Sequence, residues 1–183
     1  TALFEIQRVQ NELPDDLLAA WYGEQDPLVS ALSHSLGEVE DARGLIDLNS
    51  YAVRVENALP HDPPGAVGAT KDLLEAAMRS ILDERGVAGT DKLDFPELTN
   101  TCLNELGLLP NSPPKSDAEG KVRKIADNAK KMIIAANELR NLAGTGHGRI
   151  VGKEEELTAG DASMVASAGM VLSAWLLRHS GSK

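Results

Sequence analysis

One run of apolar residues near the middle of the chain constrains the fold more than any other feature. Its members recur at intervals of three and four residues: Val122, Ile125, Ala129, Met132, Ala136, Leu139 and Ala143. That spacing places them on one face of an α-helix. Gly144 and Gly146 then end or bend this helix, because glycine adopts backbone conformations that other residues avoid. The run predicts a long helix that packs one apolar face into a core.

Similar patterns predict further helices, and no segment alternates convincingly with the period of two that marks a strand. We predict one long helix or two in tandem over residues 27–58, a helix from about Ala66 to Arg85 ended by Gly86, a helix capped by Asp94 and stopped by Gly107, and a last helix from about Thr158 to His179. Residues 1–25 have a weaker helical pattern, with a helix start before Leu17, Leu18 and Trp21. Residues 110–120 contain three prolines and predict a surface loop.

Composition restricts what this bundle can contain. Of the 183 residues 42% are apolar but only 3% are aromatic, so aliphatic side chains must form the core. We therefore predict an all-α fold, a bundle of about five or six helices. The single cysteine, Cys102, excludes an intramolecular disulfide and a cysteine-based metal cluster. No long apolar span, signal peptide, phosphate-binding glycine loop or zinc pattern is visible, so we predict a cytoplasmic protein with no membrane, metal or cofactor.

The charge of the chain is unevenly distributed. The formal net charge of −10 argues against a general polyanion binder, because the average field repels phosphate. Residues 121–149 nevertheless carry seven basic and two acidic residues, a net charge of +5, which leaves −15 for the rest. Two interpretations stay open: a solvated basic helix face, or a strip that contacts phosphates, with Lys130 and Lys131 along it.

Arg140, Asn141 and His147 form the strongest candidate site. Arg140 follows Ala136 by four residues and so lies near the apolar face, where it needs a partner or a ligand; Glu75 is either that partner or a satisfied surface carboxylate. An arginine fork suits phosphate oxygens, and a histidine can take and return a proton near neutral pH. Together they suit phosphodiester cleavage without a metal, with Asn141 orienting the substrate or the histidine. The alternative is that Arg140 and His147 are spaced in this way by chance and that the glycines only form a turn.

Two groups of segments in the correct order resemble the abortive infection C-terminal (Abi-C) family of the HEPN superfamily. They are residues 54–59, 62–64, 71–75 and 81–86, and residues 138–141 and 144–148. The resemblance begins at about Arg54, so we divide the chain into an N-terminal helical extension, 1–53, and an Abi-C/HEPN-like helical domain, 54–183. The superfamily motif is an arginine, four to six residues, and a histidine; here residues 141–146 separate Arg140 from His147.

The resemblance implies a metal-independent endoribonuclease that acts in phage defence or as a toxin and leaves a 2′,3′-cyclic phosphate. It also implies a homodimer whose two motifs face one composite cleft, with RNA as substrate and an antitoxin or other defence protein as a further partner. Around the catalytic residues we predict substrate contacts at Lys130, Lys131, Gly144, Gly146, Gly148 and Arg149. The alternative is a non-catalytic HEPN-like module for dimerisation or nucleic-acid sensing beside another effector.

Overall fold

The computed structural model describes residues 26–41, 47–110, 112–143 and 157–181. This part of the chain forms six α-helices and contains no strand, which confirms the predicted all-α bundle. The helices are α1 (Pro27–Asp41), α2 (Leu48–Ala58), α3 (Pro63–Glu84), α4 (Phe95–Glu105), α5 (Asp117–Ala143) and α6 (Ala159–Ser180), with a 3₁₀ turn at Thr90–Lys92. The helical pattern predicted within residues 1–25 lies outside the described residues.

Local sequence signals set most helix ends as predicted. The Asp94 carboxylate accepts a hydrogen bond from the backbone N–H of Glu97 at 2.8 Å, and the Glu97 carboxylate accepts one in return, which completes a capping box at the start of α4. Thr158 caps α6 in the predicted place. Gly86 and Gly107 follow α3 and α4 at positive φ, which ends each helix.

Two predicted boundaries were wrong. α3 begins at Pro63 rather than Ala66, because Asp62 caps it and the two prolines occupy first-turn positions where a missing N–H costs nothing. α5 begins at Asp117, inside the segment predicted as a loop, where acidic residues favour the positive end of a helix. Between residues 27 and 58 the structure has two helices, the second of the two alternatives.

α3 is the centre of the bundle and packs against α2, α4, α5 and α6. Its buried side chains include Leu73, Leu74, Met78, Ile81 and Leu82, each at most 1% exposed. α6 has the most extensive contact with α3 and also packs on α1. α6 is long and apolar enough to cross a membrane by length and composition alone, and 44% of its most apolar stretch is buried in the bundle.

α5 differs from its prediction in the face that it buries. Ala126 and Ile133 are fully buried, whereas Val122, Ile125 and Met132 are 52%, 64% and 48% exposed. Where α5 packs against α3 and α4, its buried face carries the small side chains of Ala126 and Ala129 beside Ile133. The run that predicts α5 is therefore only partly a core stripe, and much of its apolar surface faces solvent in the described structure.

Candidate functional site

Arg140 and Asn141 lie in the last turn of α5, where the helix leaves the core. Ile133, Ala136 and Arg140 share one face of the helix, because they are separated by three and four residues. Along this face Ile133 is fully buried, Ala136 is half-buried and Arg140 is exposed. The sequence placed Arg140 near the correct face, but the turn that carries it extends past the core, so the side chain is exposed.

The structure brings Arg140 and Asn141 together at this exposed end. Nη1 of Arg140 donates a hydrogen bond to Oδ1 of Asn141 at 3.4 Å, which is long for such a bond. A guanidinium has five N–H donors in a planar fork, so this contact uses a small part of its capacity. The C-terminal end of a helix repels anions. A cation at Arg140 is therefore what makes this end of α5 suitable for a phosphate.

Several predicted site residues lie outside the described part of the chain. These are His147 and the four residues around it: Gly144, Gly146, Gly148 and Arg149. The catalytic role of His147 and the substrate contacts of its neighbours stay predictions.

The structure does not bring Lys131 to the side of α5 that carries Arg140. Nine residues separate them, which in a helix corresponds to two and a half turns, or about 13 Å along the axis and opposite faces. Lys131 instead forms an ion pair with Asp127 at 2.6 Å. This hydrogen bond, with the positive charges of Lys131 and Lys130, lowers the pKa of the Asp127 carboxyl. Lys130 is half-buried and lies about 80° around the helix from Arg140.

Glu75 has its hydrogen-bonding partners on its own helix. It accepts hydrogen bonds from Lys71 and Arg79, which lie one turn away on either side, with Nη2 of Arg79 at 2.8 Å from Oε1. Burial raises the pKa of the Glu75 carboxyl, but the two cations outweigh burial and lower it overall. Arg79 also donates to the backbone carbonyl of Thr90. Glu75 is thus the satisfied carboxylate of the two alternatives, and it holds Arg79, which joins α3 to the turn before α4.

Metal and thiol chemistry find little support in the described residues. Among them no group of three or more His, Cys, Asp and Glu side chains is placed to hold a metal ion. Burial raises the pKa of the Cys102 thiol to about 12, so this cysteine stays protonated and unreactive at neutral pH.

Sequence reasoning missed an apolar groove between α5 and α6. It encloses a cavity of about 130 Å³, with Met132 and Leu139 on one side and Met164 and Leu172 on the other. The sequence gives no direct signal for it, because the groove depends on how α5 and α6 are placed on α3.

Comparison with known proteins identifies the chain's family. The model of the Abi_C family, a HEPN-like domain, matches residues 47–180, well over half of the chain. The matched range includes Arg140, Asn141 and His147 and begins at the residue before α2, inside the segment 1–53 that we assign to an N-terminal extension. No curated protein and no solved structure matches the chain significantly.

Proposed function

The chain belongs to the Abi_C family of HEPN-like domains, and on that premise we propose that it is an endoribonuclease that needs no metal ion. The observation that supports this most is the exposed Arg140–Asn141 pair at the end of α5, which His147 follows after five intervening residues. A cytoplasmic enzyme of this kind would act in phage defence or as a toxin, with an antitoxin or another defence protein as its regulator.

The chemistry assigned to these residues is transfer of a phosphodiester to the neighbouring hydroxyl. The ribose 2′-oxygen attacks phosphorus while the bond from phosphorus to the 5′-oxygen breaks. A proton leaves the 2′-hydroxyl and a proton reaches the 5′-oxygen, so the products are a 2′,3′-cyclic phosphate and a 5′-hydroxyl. The Arg140 fork stabilises negative charge on the phosphoryl oxygens, the part that a metal ion plays elsewhere. Asn141 orients the substrate or the imidazole.

A homodimer would supply the two histidines that the two proton transfers need. The reaction needs a base for the 2′-hydroxyl and an acid for the 5′-oxygen, and His147 of one copy supplies a single imidazole. In a composite cleft, His147 from each copy takes one of these two roles. Lys130 and Arg149 would add positive charge along the bound RNA, whereas Lys131, on the opposite face of α5, stays paired with Asp127.

The test is cleavage of defined RNAs by the full chain in excess EDTA. We expect His147→Ala to abolish cleavage. We expect Arg140→Ala to lose roughly 2–4 kcal/mol of transition-state stabilisation, about 30-fold to 10³-fold in rate, by analogy with the loss of an oxyanion donor. Arg178→Ala is the matched control, because Arg178 is also an exposed arginine in the last turn of a helix. It should retain the wild-type rate.

The outcomes separate the enzyme from a non-catalytic module. Cleavage by His147→Ala at the wild-type rate would assign the activity to another site or a contaminant, and the proposal would fail. RNA binding without cleavage, for every RNA tested, would instead favour the nucleic-acid-sensing module. Sedimentation of the same samples tests the dimer, since a composite cleft requires two copies in the active species.

A further inference from the structure

Among the described residues, the groove between α5 and α6 leaves a cluster of apolar side chains exposed. Its α5 side consists of Met132, Ala135 and Leu139, and its α6 side of Met164, Ala168 and Leu172. Met164 is 65% exposed and Met132 is 48% exposed. The two helices contact each other sparsely, and both rest on α3, so the space above α3 stays open. Clustered exposed apolar side chains of this kind are typical of surfaces that bind another apolar group.

The described part of the chain begins beside one side of this groove. The Asp26 carboxylate caps α1, accepting hydrogen bonds from the backbone N–H groups of Leu28 at 2.9 Å and Val29 at 3.2 Å. Its other oxygen accepts a hydrogen bond from the hydroxyl of Ser163, on α6. Ser163 is the residue next to Met164. The described chain therefore begins at α6, beside the residue that precedes Met164 in that helix.

The sequence of that preceding segment fits the groove in reach and in chemistry. Trp21 lies five residues before Asp26, a span of at most about 17 Å when extended. Leu17, Leu18 and Trp21 are apolar residues at helical spacing after Pro14. The segment also contains three of the six aromatic residues of the chain, and aromatic side chains are the usual anchors of apolar grooves.

Charge favours residues 1–25, rather than a second copy of the chain, as the occupant of the groove. Residues 1–25 carry five acidic residues and one basic residue, a net charge of −4. α5 carries six basic and four acidic residues, a net charge of +2. An acidic segment on a basic helix is attracted, whereas a two-fold pairing of the groove with itself would place one basic helix beside another.

We propose that residues 1–25 of the same chain cover the groove between α5 and α6, with Leu17, Leu18 and Trp21 as the apolar contacts. Docking shields Met132 and Met164 from water and places the acidic residues of the segment along α5. The cap at Asp26 and its bond to Ser163 hold the end of the segment in place. This docking does not depend on whether the protein cleaves RNA.

Tryptophan fluorescence of the full chain tests the docking. The variant Trp175→Phe leaves Trp21 as the single tryptophan. In that parent we expect Trp21 to emit at short wavelength and to resist quenching by acrylamide, with no dependence on protein concentration. Met164→Lys should shift the emission to longer wavelength and increase quenching. The matched control is Val53→Lys on α2, an exposed valine that does not line the groove, and it should change neither.

Each alternative has its own result. Emission typical of a hydrated indole in the parent, or equal emission in the parent and Met164→Lys, would overturn the proposal. Loss of the short-wavelength emission on dilution would show docking onto another copy instead. If Met164→Lys dissociates an oligomer and leaves the Trp21 emission unchanged, the groove binds a second copy of the chain instead. If Met164→Lys loses its helical circular dichroism, Ala135→Lys, exposed on the α5 side, takes its place with the same expected shift.

Discussion

Gly169 on α6 lies so close to Thr70 on α3 that a methyl group at Gly169 would stand 2.2 Å from Cγ2 of Thr70. Thr70 is fully buried, and its hydroxyl donates to the backbone carbonyl of Ala66 at 2.8 Å. The missing side chain at position 169 therefore sets how closely the two central helices approach. That approach also forms the floor of the groove, which Gly169 and Leu74 line.

Gly169→Ala should destabilise the protein even though alanine is the better helix former. Alanine gains about 1 kcal/mol over glycine in a helix interior, but here its methyl group overlaps Thr70, and overpacking of a core costs roughly 1–3 kcal/mol. We expect the overlap to dominate, so that the midpoint of urea unfolding falls. Thr70→Ser in the same background removes the overlapping methyl and should recover part of the loss.

Gly68→Ala is the matched control for this prediction. Gly68 also lies inside a helix, α3, and a methyl group at this position would meet no neighbouring heavy atom within 4 Å. The substitution should stabilise the protein by about 0.5–1 kcal/mol, from helix propensity alone. A Gly169→Ala variant as stable as Gly68→Ala would show that the two helices separate easily, contrary to the close packing at Thr70.

Asp26→Ala should weaken both the start of α1 and its attachment to α6. Loss of an N-cap costs about 1 kcal/mol. The hydrogen bond from Ser163 lowers the pKa of the Asp26 carboxyl, and the backbone N–H groups of Val29 and Leu28 act in the same direction, while burial opposes them. The stabilisation is present above the ordinary pKa of about 3.8 and is lost as the pH falls through the lower folded value.

Urea unfolding at several pH values checks the Asp26 prediction. The difference in stability between wild type and Asp26→Ala should be constant near neutral pH and shrink below about pH 4. Ser163→Ala removes one hydrogen bond but retains the cap, so its effect should be smaller. Equal effects of both variants would mean that the cap contributes nothing.

Glu75→Gln should cost stability at neutral pH but leave RNA cleavage intact. The hydrogen bonds of Glu75 go to Lys71 and Arg79, so the variant weakens the link between α3 and the turn before α4 without touching Arg140. Because the cluster is partly solvated, we expect a cost of at most about 1 kcal/mol. The folded pKa of Glu75 is lowered, so this cost should fade as the pH drops below about 4.5.

A loss of cleavage in Glu75→Gln, with its fold retained, would restore Glu75 as a partner of Arg140. Unfolding of the variant and of the wild type at pH 7 and at pH 4 measures how the loss of stability depends on pH. A pH-independent cost would show that the charge of Glu75 is not what stabilises the cluster.

The ends of the helices could be predicted from the sequence better than the faces that they bury, for physical reasons. The ends depend on local contacts, such as the Asp94–Glu97 capping box, which a few neighbouring residues determine. The buried face of α5 depends on how closely its neighbours approach, and small residues such as Ala126 decide that in three dimensions. For the same reason the sequence placed Arg140 on the correct face but not beyond the end of the core. The groove could not be predicted, because it forms between α5 and α6, which contact each other sparsely and both rest on α3.

The adjacent lysines of α5 should contribute differently to RNA binding. Lys130 lies about 80° around the helix from Arg140, whereas Lys131 lies on the opposite face and is held by Asp127 at 2.6 Å. Binding of a single-stranded RNA to the His147→Ala variant, measured over a range of salt concentrations, reports how many phosphates the protein neutralises. Removing a cation that pairs with one phosphate should reduce the slope of log K against log salt by about 0.7.

We expect that reduction for Arg140→Ala and for Lys130→Ala, and no change for Lys131→Ala. The two lysine variants remove the same charge from neighbouring positions, so the average field of the protein changes equally in both. A difference between them therefore reports direct pairing with phosphate rather than net charge. Equal reductions for both lysines would instead mean that RNA contacts both faces of α5, and that the ion pair with Asp127 opens when RNA binds.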